Sequence, residues 1–219
     1  TYIIANTDSR ALAALEVDHE IHLGRTRTRG KGAGGRVERG RAAAEEAKDS
    51  IYQALEGSEI VFITACLGGG TGSGAGPVIA EIANSLTIGE DNVLTVGIVT
   101  MPFSWEGSKK RGIAESALGE FRKNVDAVIV IENDLLALSS TAEGADDLGL
   151  IGIEDEFRLT DKILADAIQG LSEIITVNGL WNLDISDFRS TLEHAGDAVI
   201  AIGSCSGDAR AVGAAQNAL

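Results

Sequence analysis

The fold is decided by residues 59–77, "EIVFITACLGGGTGSGAGP", where an apolar run passes directly into a glycine-rich loop. The run at 60–65 is apolar at nearly every position, which is typical of a strand buried on both faces. A glycine-rich loop between a strand and a helix lets consecutive backbone N–H groups face a phosphate, and the amino end of the helix adds its dipole. A plain tight turn needs fewer glycines, so the stretch predicts a phosphate-binding loop. The lysine of a P-loop is missing, which argues against the P-loop class of nucleotide-binding proteins.

Apolar runs and helical stretches alternate along the first two thirds of the chain. The runs that predict strands are 2–5, 60–65, 93–99 and 127–132, and the stretches that predict helices are 36–56, 74–86 and 109–124. This alternation is typical of a parallel sheet covered by helices on both faces, so we expect an α/β, Rossmann-like domain. Ligands bind such sheets at the carboxyl ends of the strands. The segments after the four runs should therefore line one pocket; they are 6–8, 67–77, 101–107 and 133–134.

A long central helix is expected next. Residues 157–176 place Ile163, Ala167 and Leu171 near helical spacing, which predicts a long and largely buried helix. The pattern then indicates a short strand and a last helix, at 198–203 and 207–219.

The predicted elements divide the chain into three parts. One strand and one helix cannot bury their own apolar faces, so residues 177–219 are expected to be only the start of a second, α+β domain. Residues 1–156 would form the ligand-binding domain, and 157–176 the helix that joins the two. The chain opens on Thr1 rather than Met, and we expect it to be truncated at both ends.

The composition excludes several classes of protein. The chain holds 33 acidic and 18 basic residues, for a formal charge of -15, which disfavours contact with nucleic acid or an anionic membrane. No apolar run approaches the ~18 residues of a membrane span. With two cysteines, Cys66 and Cys205, a disulfide scaffold is not expected, and we interpret both as buried residues in a reducing cytoplasm.

A positive segment interrupts this acidic chain between residues 25 and 41. We call its seven basic side chains the basic strip; they are Arg25, Arg27, Arg29, Lys31, Arg36, Arg39 and Arg41. Either the strip is a solvated loop, or it contacts a phosphate or an acidic partner, and the sequence favours neither interpretation. Gly30, Gly32 and Gly35 also match the dinucleotide pattern G-x-G-x-x-G. An arginine-rich stretch precedes them instead of a buried strand, so support for a dinucleotide-using enzyme is weak.

An ordered set of motifs gives the chain a family resemblance. "GGGTGSG" followed by "AGP", with "PFSWEGSKKR" behind it, resembles the tubulin and FtsZ superfamily of GTPases. The match is wider with the FtsZ family of prokaryotic cell-division proteins, because "ANTD", "GKGAGG", "END", "AIQGLSEII" and "GLWNLDISD" stand in that family's order. The resemblance covers almost the whole chain. The family's glycine-rich loop after its first strand and most of its carboxy-terminal domain are absent.

The resemblance implies the residues that bind GTP. Glu106 would accept from the ribose hydroxyls, and Arg111 would lie beside the sugar and phosphates. Phe157 would stack on the base, and Asp161 could accept from guanine N1–H and N2–H₂, a donor pair that adenine lacks. The residues implied around the phosphates are Ala33, Gly34, Gly69, Gly70, Thr71, Gly72, Ser73 and Gly74, and Asn133 completes the GTP-binding set.

Catalysis is implied on a different segment, "NLDISD", at Asn182, Asp184 and Asp187. Two carboxylates three residues apart can polarise water and bind a hydrated cation such as Mg²⁺, although their spacing alone fits helix-capping acids equally well. A helix over 157–176 spans roughly 30 Å, so these acids would lie at the far pole from a base bound near Asp161. They would then act on the nucleotide of a neighbouring copy, in a head-to-tail contact that propagates as a filament.

The resemblance thus implies a cytoplasmic GTPase that polymerises into the division ring of a prokaryotic cell. GTP would be its substrate and Mg²⁺ its cofactor, with no metal ion held by the isolated chain alone. Its partners would be further copies of itself and, through the missing carboxy-terminal parts, membrane-anchor and division proteins. Neither nucleic-acid binding nor membrane insertion is expected. The alternative is a divergent cytoskeletal paralogue in cell shape or replicon segregation, with weak or no hydrolysis.

Overall fold

A computed structural model gives the structure of residues 1–15, 17–134, 153–176, 184–201, 203, 205–207 and 209–218. The strands are β1 (Ile3–Asn6), β2 (His19–His22), β3 (Ile60–Cys66), β4 (Thr87–Ile88), β5 (Asp91–Asn92), β6 (Leu94–Met101), β7 (Ala127–Glu132) and β8 (Gly196–Ala198). The helices are α1 (Ser9–Ala13), α2 (Val37–Glu46), α3 (Lys48–Leu55), α4 (Gly70–Asn84), α5 (Ser108–Asn124), α6 (Ile153–Thr176), α7 (Ile185–Leu192) and α8 (Arg210–Ala218). A short 3₁₀ turn, Ser104–Glu106, lies between β6 and α5.

The main sheet is parallel, as the sequence predicts. Its order is β3-β6-β7-β8, with Ile60 opposite Leu94 and Val96 opposite Ala127. The first predicted strand lies outside this sheet, since β1 pairs in parallel with β2 to form a separate two-stranded sheet. Strand β2 was not predicted, because its four residues, "HEIH", include a single apolar side chain, Ile21.

A cleft of about 930 Å³ lies between the two sheets. β1 and β3 line its two sides, and Thr71, Gly72 and Ala75 of α4 also face it. Each of the two strands pairs on one edge only, with β2 and β6 respectively. Cys66, at the end of β3, lines this cleft and is exposed, as is Cys205, so the prediction that both cysteines are buried is wrong.

Helices cover both faces of the main sheet. Val96 and Ile98 of β6 lie in one buried cluster with Leu171 of α6 and Phe188 of α7. The opposite cluster contains Phe121 of α5 together with apolar residues of α2, α3 and α4. β6 is buried at every position because it has a strand on each edge and helices on each face. The three-layer α/β architecture predicted from the sequence is confirmed.

Helices α2 and α4 are in direct backbone contact, which accounts for part of the glycine-rich sequence. A Cβ atom at Gly40 would meet the carbonyl oxygen of Gly70, and one at Gly74 would meet the carbonyl oxygen of Val37 and the amide nitrogen of Arg41. No side chain fits at either position, so glycine is required there by packing. The contact fixes α2 against the first turn of α4.

Several element boundaries differ from the predictions. The stretch 36–56 is two helices, α2 and α3, that meet at Ala47. The last strand is Gly196–Ala198 rather than 198–203, and Val199 beyond it is 93% exposed. Helix α6 is buried on one face only, because Ala167 and Leu171 are buried while those of its charged side chains that the structure describes are exposed. Within the described residues, every helix is too short or too polar to cross a membrane.

Candidate functional site

The glycine loop joins the carboxyl end of β3 to the amino end of α4. Gly68 has φ +97°, a left-handed conformation that a side chain would strain, and this turns the chain away from the strand. Gly69 is the N-cap of α4 and supplies no side chain to its first turn. The N–H groups at the start of this 15-residue helix therefore have no capping side chain, which suits them to bind an anion.

Hydroxyl groups brace this loop from inside. Ser73 is buried, and its Oγ accepts a hydrogen bond of 2.8 Å from the amide nitrogen of Gly68. Thr71 Oγ1 lies 2.6 Å from Thr7 Oγ1, which ties the loop to the segment that follows β1. Gly72 packs against the carbonyl oxygen of Cys66, where a Cβ atom would not fit. Ser73 and Gly72 thus have structural roles in the loop, and their contacts with GTP stay predictions.

The segment before α2 adjoins the same loop. A Cβ atom at Gly70 would lie 2.9 Å from Cβ of Ala33 and 2.7 Å from the amide nitrogen of Arg36. Gly34 follows with φ +62° and nothing within 4 Å of its Cβ position, so it borders open space. The structure therefore brings together Ala33, Gly34 and the glycine loop, as the resemblance implies.

The segment after β6 forms a further side of the candidate site, and carboxylate groups hold its backbone in place. Glu106 Oε1 accepts from the amide nitrogen of Phe103 at 3.0 Å, and its Oε2 accepts from Lys110 Nζ at 2.6 Å. Asp134 Oδ1 accepts from the amide nitrogen of Ser104 at 2.9 Å, so the segments after β6 and β7 are joined. These contacts join the four segments expected to line one pocket in two pairs, 6–8 with 67–77 and 101–107 with 133–134. Gly68 connects the pairs, because a Cβ atom there would lie 3.3 Å from Cγ of Pro102.

Arg111 is held by carboxylates beside this segment. Its guanidinium donates to Glu132 at 2.7 and 3.0 Å and to Glu115 at 3.1 Å. The hydrogen bonds to Glu132, and secondly those to Glu115, raise the pKa of Arg111 above its ordinary value. Arg111 is therefore held in place near the carboxyl end of β7, with its charge balanced by these two carboxylates.

Asn133 carries an unsatisfied polar atom. The residue is 5% exposed, and its Oδ1 has no hydrogen-bond partner among the residues that the structure describes. A buried acceptor without a donor costs about 1–3 kcal/mol, so such atoms are uncommon and point to a missing partner. A bound ligand with an N–H or O–H group would supply that partner.

Aromatic rings mark the place where α6 meets the segment after β6. Phe103 and Trp105 are stacked with ring centroids 5.4 Å apart, and Phe157 contacts both rings edge-on, at 5.4 and 6.0 Å. Trp105 and Phe157 are 52% and 40% exposed, so each keeps a surface free for a planar ligand. Asp161 lies one turn after Phe157 and is also exposed.

The predicted catalytic acids lie at the other end of the sheet. Asp184 and Asp187 are exposed at the start of α7. The same helix packs Phe188 against Phe62, and Arg189 donates to the carbonyl oxygens of Asn92 and Glu59, which precede β6 and β3. The acids are therefore at the amino ends of strands whose carboxyl ends carry the glycine loop, and the eight residues of β6 separate the two ends by about 26 Å.

The alternative role of these acids as helix caps has little support. Asp184 is at the N-cap of α7, but its side chain makes no capping hydrogen bond. Asn182 lies outside the described residues. Among the residues that are described, no three His, Cys, Asp or Glu side chains form a group that could hold a metal ion.

Three residues of this site lie in segments that the sequence predicts to line the pocket, although no individual role was given to them: Thr7 in 6–8, Trp105 in 101–107 and Asp134 in 133–134. Glu132, the last residue of β7, was not predicted. The expectation that ligands bind at the carboxyl ends of parallel strands, applied one residue earlier, could have found it.

Comparison with known proteins agrees with the fold. The model of the Tubulin/FtsZ family, GTPase domain, matches residues 1–140. A solved FtsZ dimer from M. jannaschii superposes with a TM-score of 0.88 at 36% identity, over 99% of this chain and 59% of that one. The fold is therefore that of a tubulin-like GTPase domain, and the chain belongs to the tubulin/FtsZ family.

More distant structures share the fold. A protofilament of CetZ2 from Haloferax volcanii, described as GTPγS-bound, matches with a TM-score of 0.73 at 24% identity, over 94% of this chain and 57% of that one. CetZ from Methanosaeta thermophila gives the same TM-score at 21% identity, over 99% and 57%. The chain spans about three fifths of the length of the FtsZ structures it matches.

Proposed function

We propose that the chain is the GTP-binding and GTP-hydrolysing part of a filament-forming protein of the FtsZ type. The observation that supports this most is the position of Asp184 and Asp187, at the opposite end of the sheet from the glycine loop. A site divided in this way is complete only where the carboxyl-end face of one copy meets the amino-end face of the next. Such a contact is heterologous and does not close, so it repeats as a filament.

GTP binding in this proposal uses the groups left free at the carboxyl ends of the strands. The phosphates would lie on the uncapped amides at the start of α4, where the helix dipole favours negative charge. Asn133 Oδ1 would accept a hydrogen bond from the nucleoside. Phe157 would stack on the base, and Asp161 would accept from the guanine N–H donors.

Hydrolysis in this proposal is attack of water on the γ-phosphorus. Asp184 or Asp187 of the next copy polarises the water through a hydrogen bond. A P–O bond forms to the water oxygen as the bond to the β,γ-bridging oxygen breaks, and GDP and phosphate leave, with the water's proton ending on phosphate. Bound Mg²⁺ would neutralise charge on the phosphates, and the residues present suit an ion held by phosphate oxygens, water and these acids rather than by a protein cage.

In the cell we propose a role in the division ring, in the cytoplasm at the division site, with membrane anchors and division proteins bound outside these 219 residues. The alternative is a related cytoskeletal protein in cell shape or replicon segregation. Depletion separates the two roles, because loss of a division-ring protein yields long undivided cells. Cells that still divide but change shape, or lose replicons, would favour the alternative.

The turnover of GTP at different protein concentrations tests the shared site. In full-length protein, phosphate release per subunit should rise steeply above a critical concentration and be near zero below it. Dilute monomers that hydrolyse GTP as fast per subunit as concentrated protein would contradict the proposal.

A further inference from the structure

The basic strip has few internal contacts: Arg39 donates to the carbonyl oxygen of Arg27 at 3.3 Å, and Arg27 and Arg41 interact electrostatically with Glu46 and Glu120. Six of its seven side chains are exposed, and the seventh, Arg39, is half-buried. The segment 25–41 contains one acidic residue, Glu38. Within the described part of the chain, no carboxylate forms a salt bridge with any of the seven. The strip is therefore a positive surface without salt-bridge partners among the described residues, on a chain of charge -15; Arg29 and Lys31 are exposed members of it.

The backbone that carries the strip is held firmly in place. Glu46 accepts from the amide nitrogen and Oγ1 of Thr26, at 2.9 and 2.7 Å, and from the amide nitrogen of Arg27 at 3.3 Å. The hydrogen bond from the Thr26 hydroxyl, followed by those from the backbone, lowers the pKa of Glu46. Thr28 is buried, and its hydroxyl donates to the carbonyl oxygen of Thr7 at 3.1 Å. The structure thus fixes this segment while most of its cationic groups, Arg29 and Lys31 among them, stay exposed.

Part of the strip borders the candidate GTP site. Lys31 pairs with Asp8, after the carboxyl end of β1, through a backbone bridge. The carbonyl oxygen of Gly30 accepts from the amide nitrogen and Oγ of Ser9. Lys31 and its neighbour Arg29 therefore lie at the carboxyl-end face of the molecule, beside the glycine loop.

The opposite, amino-end face is acidic. We call its carboxylates the acidic pole; the exposed ones are Glu56, Glu59, Glu90, Asp91, Asp184, Asp187, Glu193 and Asp197. Arg122 at this end is paired with Asp197, and Arg189 donates to backbone carbonyl oxygens. Neither arginine neutralises the remaining acids.

These two faces cannot neutralise each other within one molecule. The eight residues of β6 separate them by about 26 Å, whereas salt screens exposed charges beyond about 8 Å at physiological ionic strength. Two copies of charge -15 repel in most orientations. Attraction arises where the strip of one copy faces the acidic pole of another.

We propose that the basic strip binds the acidic pole of a second copy and supplies the electrostatic attraction in the head-to-tail contact. This proposal rests on the head-to-tail geometry of the proposed function. Opposed charges of this kind steer association and raise its rate by about 10- to 1,000-fold at low salt. Assembly of the full-length protein is therefore strongly weakened by salt, and reversal of the strip's charges weakens assembly even at GTP concentrations that saturate the site.

Charge exchange between two variants tests this contact. The strip variant is R29E/K31E, and the pole variant is E59K/E90K. The control is K48E/R210E, which reverses two exposed basic residues outside the strip and the pole. Sedimentation and light scattering give the critical concentration of each full-length protein. We expect each test variant alone to need at least about tenfold more protein than wild type or control, and an equimolar mixture of the two to assemble within about threefold of wild type.

The mixture is the decisive sample, because a variant that had misfolded would not regain assembly when the other variant is added. A strip variant that assembles like wild type, or a mixture no better than its components, overturns the proposal. A strip variant that assembles normally but loses affinity for duplex DNA overturns it too, because the strip would then bind a polyanion. Separate measurements of GTP affinity distinguish the two proposals. If the wild-type protein does not bind GTP, the proposed function is contradicted. If GTP binding is intact but assembly does not depend on these charges, only the docking role is contradicted.

Discussion

The two ends of the main sheet are built by opposite means. At the carboxyl end, glycines allow close backbone contacts, and polar side chains already have hydrogen-bond partners. Gly70 and Gly74 lie against neighbouring backbone, Ser73 accepts from the amide of Gly68, and Glu132 accepts from Arg111. At the amino end, Asp184 and Asp187 are exposed, and Asp184 makes no capping bond. The first end is organised before a ligand arrives, whereas the second exposes charge to the surroundings.

This difference fits a division of labour between binding and chemistry. A phosphate site gains from amides held in place in advance, because no ordering is then required at the moment of binding. Exposed carboxylates can act only on something brought to them from outside the molecule. In the proposed function, one end is therefore a receptor for GTP and the other carries groups that act on a neighbouring copy. A substitution at one end should leave the other intact.

The largest expected effect is on hydrolysis. Asp184→Ala should lower GTP turnover by at least about 100-fold, since removal of a group that polarises water typically costs 10²–10⁴ in rate. GTP affinity should stay near wild type because the other end of the sheet is untouched, and assembly should change little because Asp184 is one of eight exposed acids in the acidic pole. Phosphate release and nucleotide titration measure the two effects. Asp166→Asn, an exposed acid on α6, is the control and should keep full turnover; equal losses in both variants would count against the assignment.

The next effect is on stability at the carboxyl end. Gly74→Ala places a methyl group against the backbone of Val37 and Arg41 and should lower the free energy of unfolding by about 3 kcal/mol. Gly112→Ala is the matched control, because Gly112 is exposed in α5 with nothing near its Cβ position, and it should stabilise the protein by about 0.5–1 kcal/mol. Urea unfolding measures both. Equal stability of the two variants would contradict the proposed α2–α4 contact.

A smaller effect is expected on nucleotide choice. Asp161→Ala removes the acceptor proposed for guanine and should weaken GTP binding by about 30-fold, while ATP binding stays nearly unchanged. Competition between GTP and ATP measures the selectivity. Asp166→Ala, further along the same helix, should not alter it. Undiminished preference for GTP in the Asp161 variant would refute the role given to this carboxylate.

The sequence predicts most of the layered fold because its strongest strands are buried on both faces. β6 and β7 read as continuous apolar runs, and the helices between them have clear ends. β2 could not be found, since a four-residue strand with one buried side chain has almost no periodic signal. β8 was misplaced because "AVIAIG" is apolar in sequence, yet Val199 is exposed in this chain.

The site was predictable in outline but not in its internal contacts. The glycine loop and the separation of Asp184 from it follow from local sequence and the length of α6. The pairing of Thr7 with Thr71, and of Arg111 with Glu132, joins residues far apart in sequence. No local pattern encodes such pairs. The sequence indicates a phosphate-binding role for the glycines of the loop, but it does not indicate that Gly72 and Gly74 are also required by packing.

The central claim, a site shared between the two ends, is tested most directly by mixing two inactive variants of the full-length protein. Asp184→Ala keeps the GTP site but lacks an acid, whereas Asp161→Ala keeps the acids but binds GTP poorly. At a GTP concentration that saturates only the former, the mixture should hydrolyse GTP several-fold faster than the sum of its components, because the nucleotide of one variant meets the acids of the other. Turnover equal to that sum, with both variants present in the same filaments, would contradict the account.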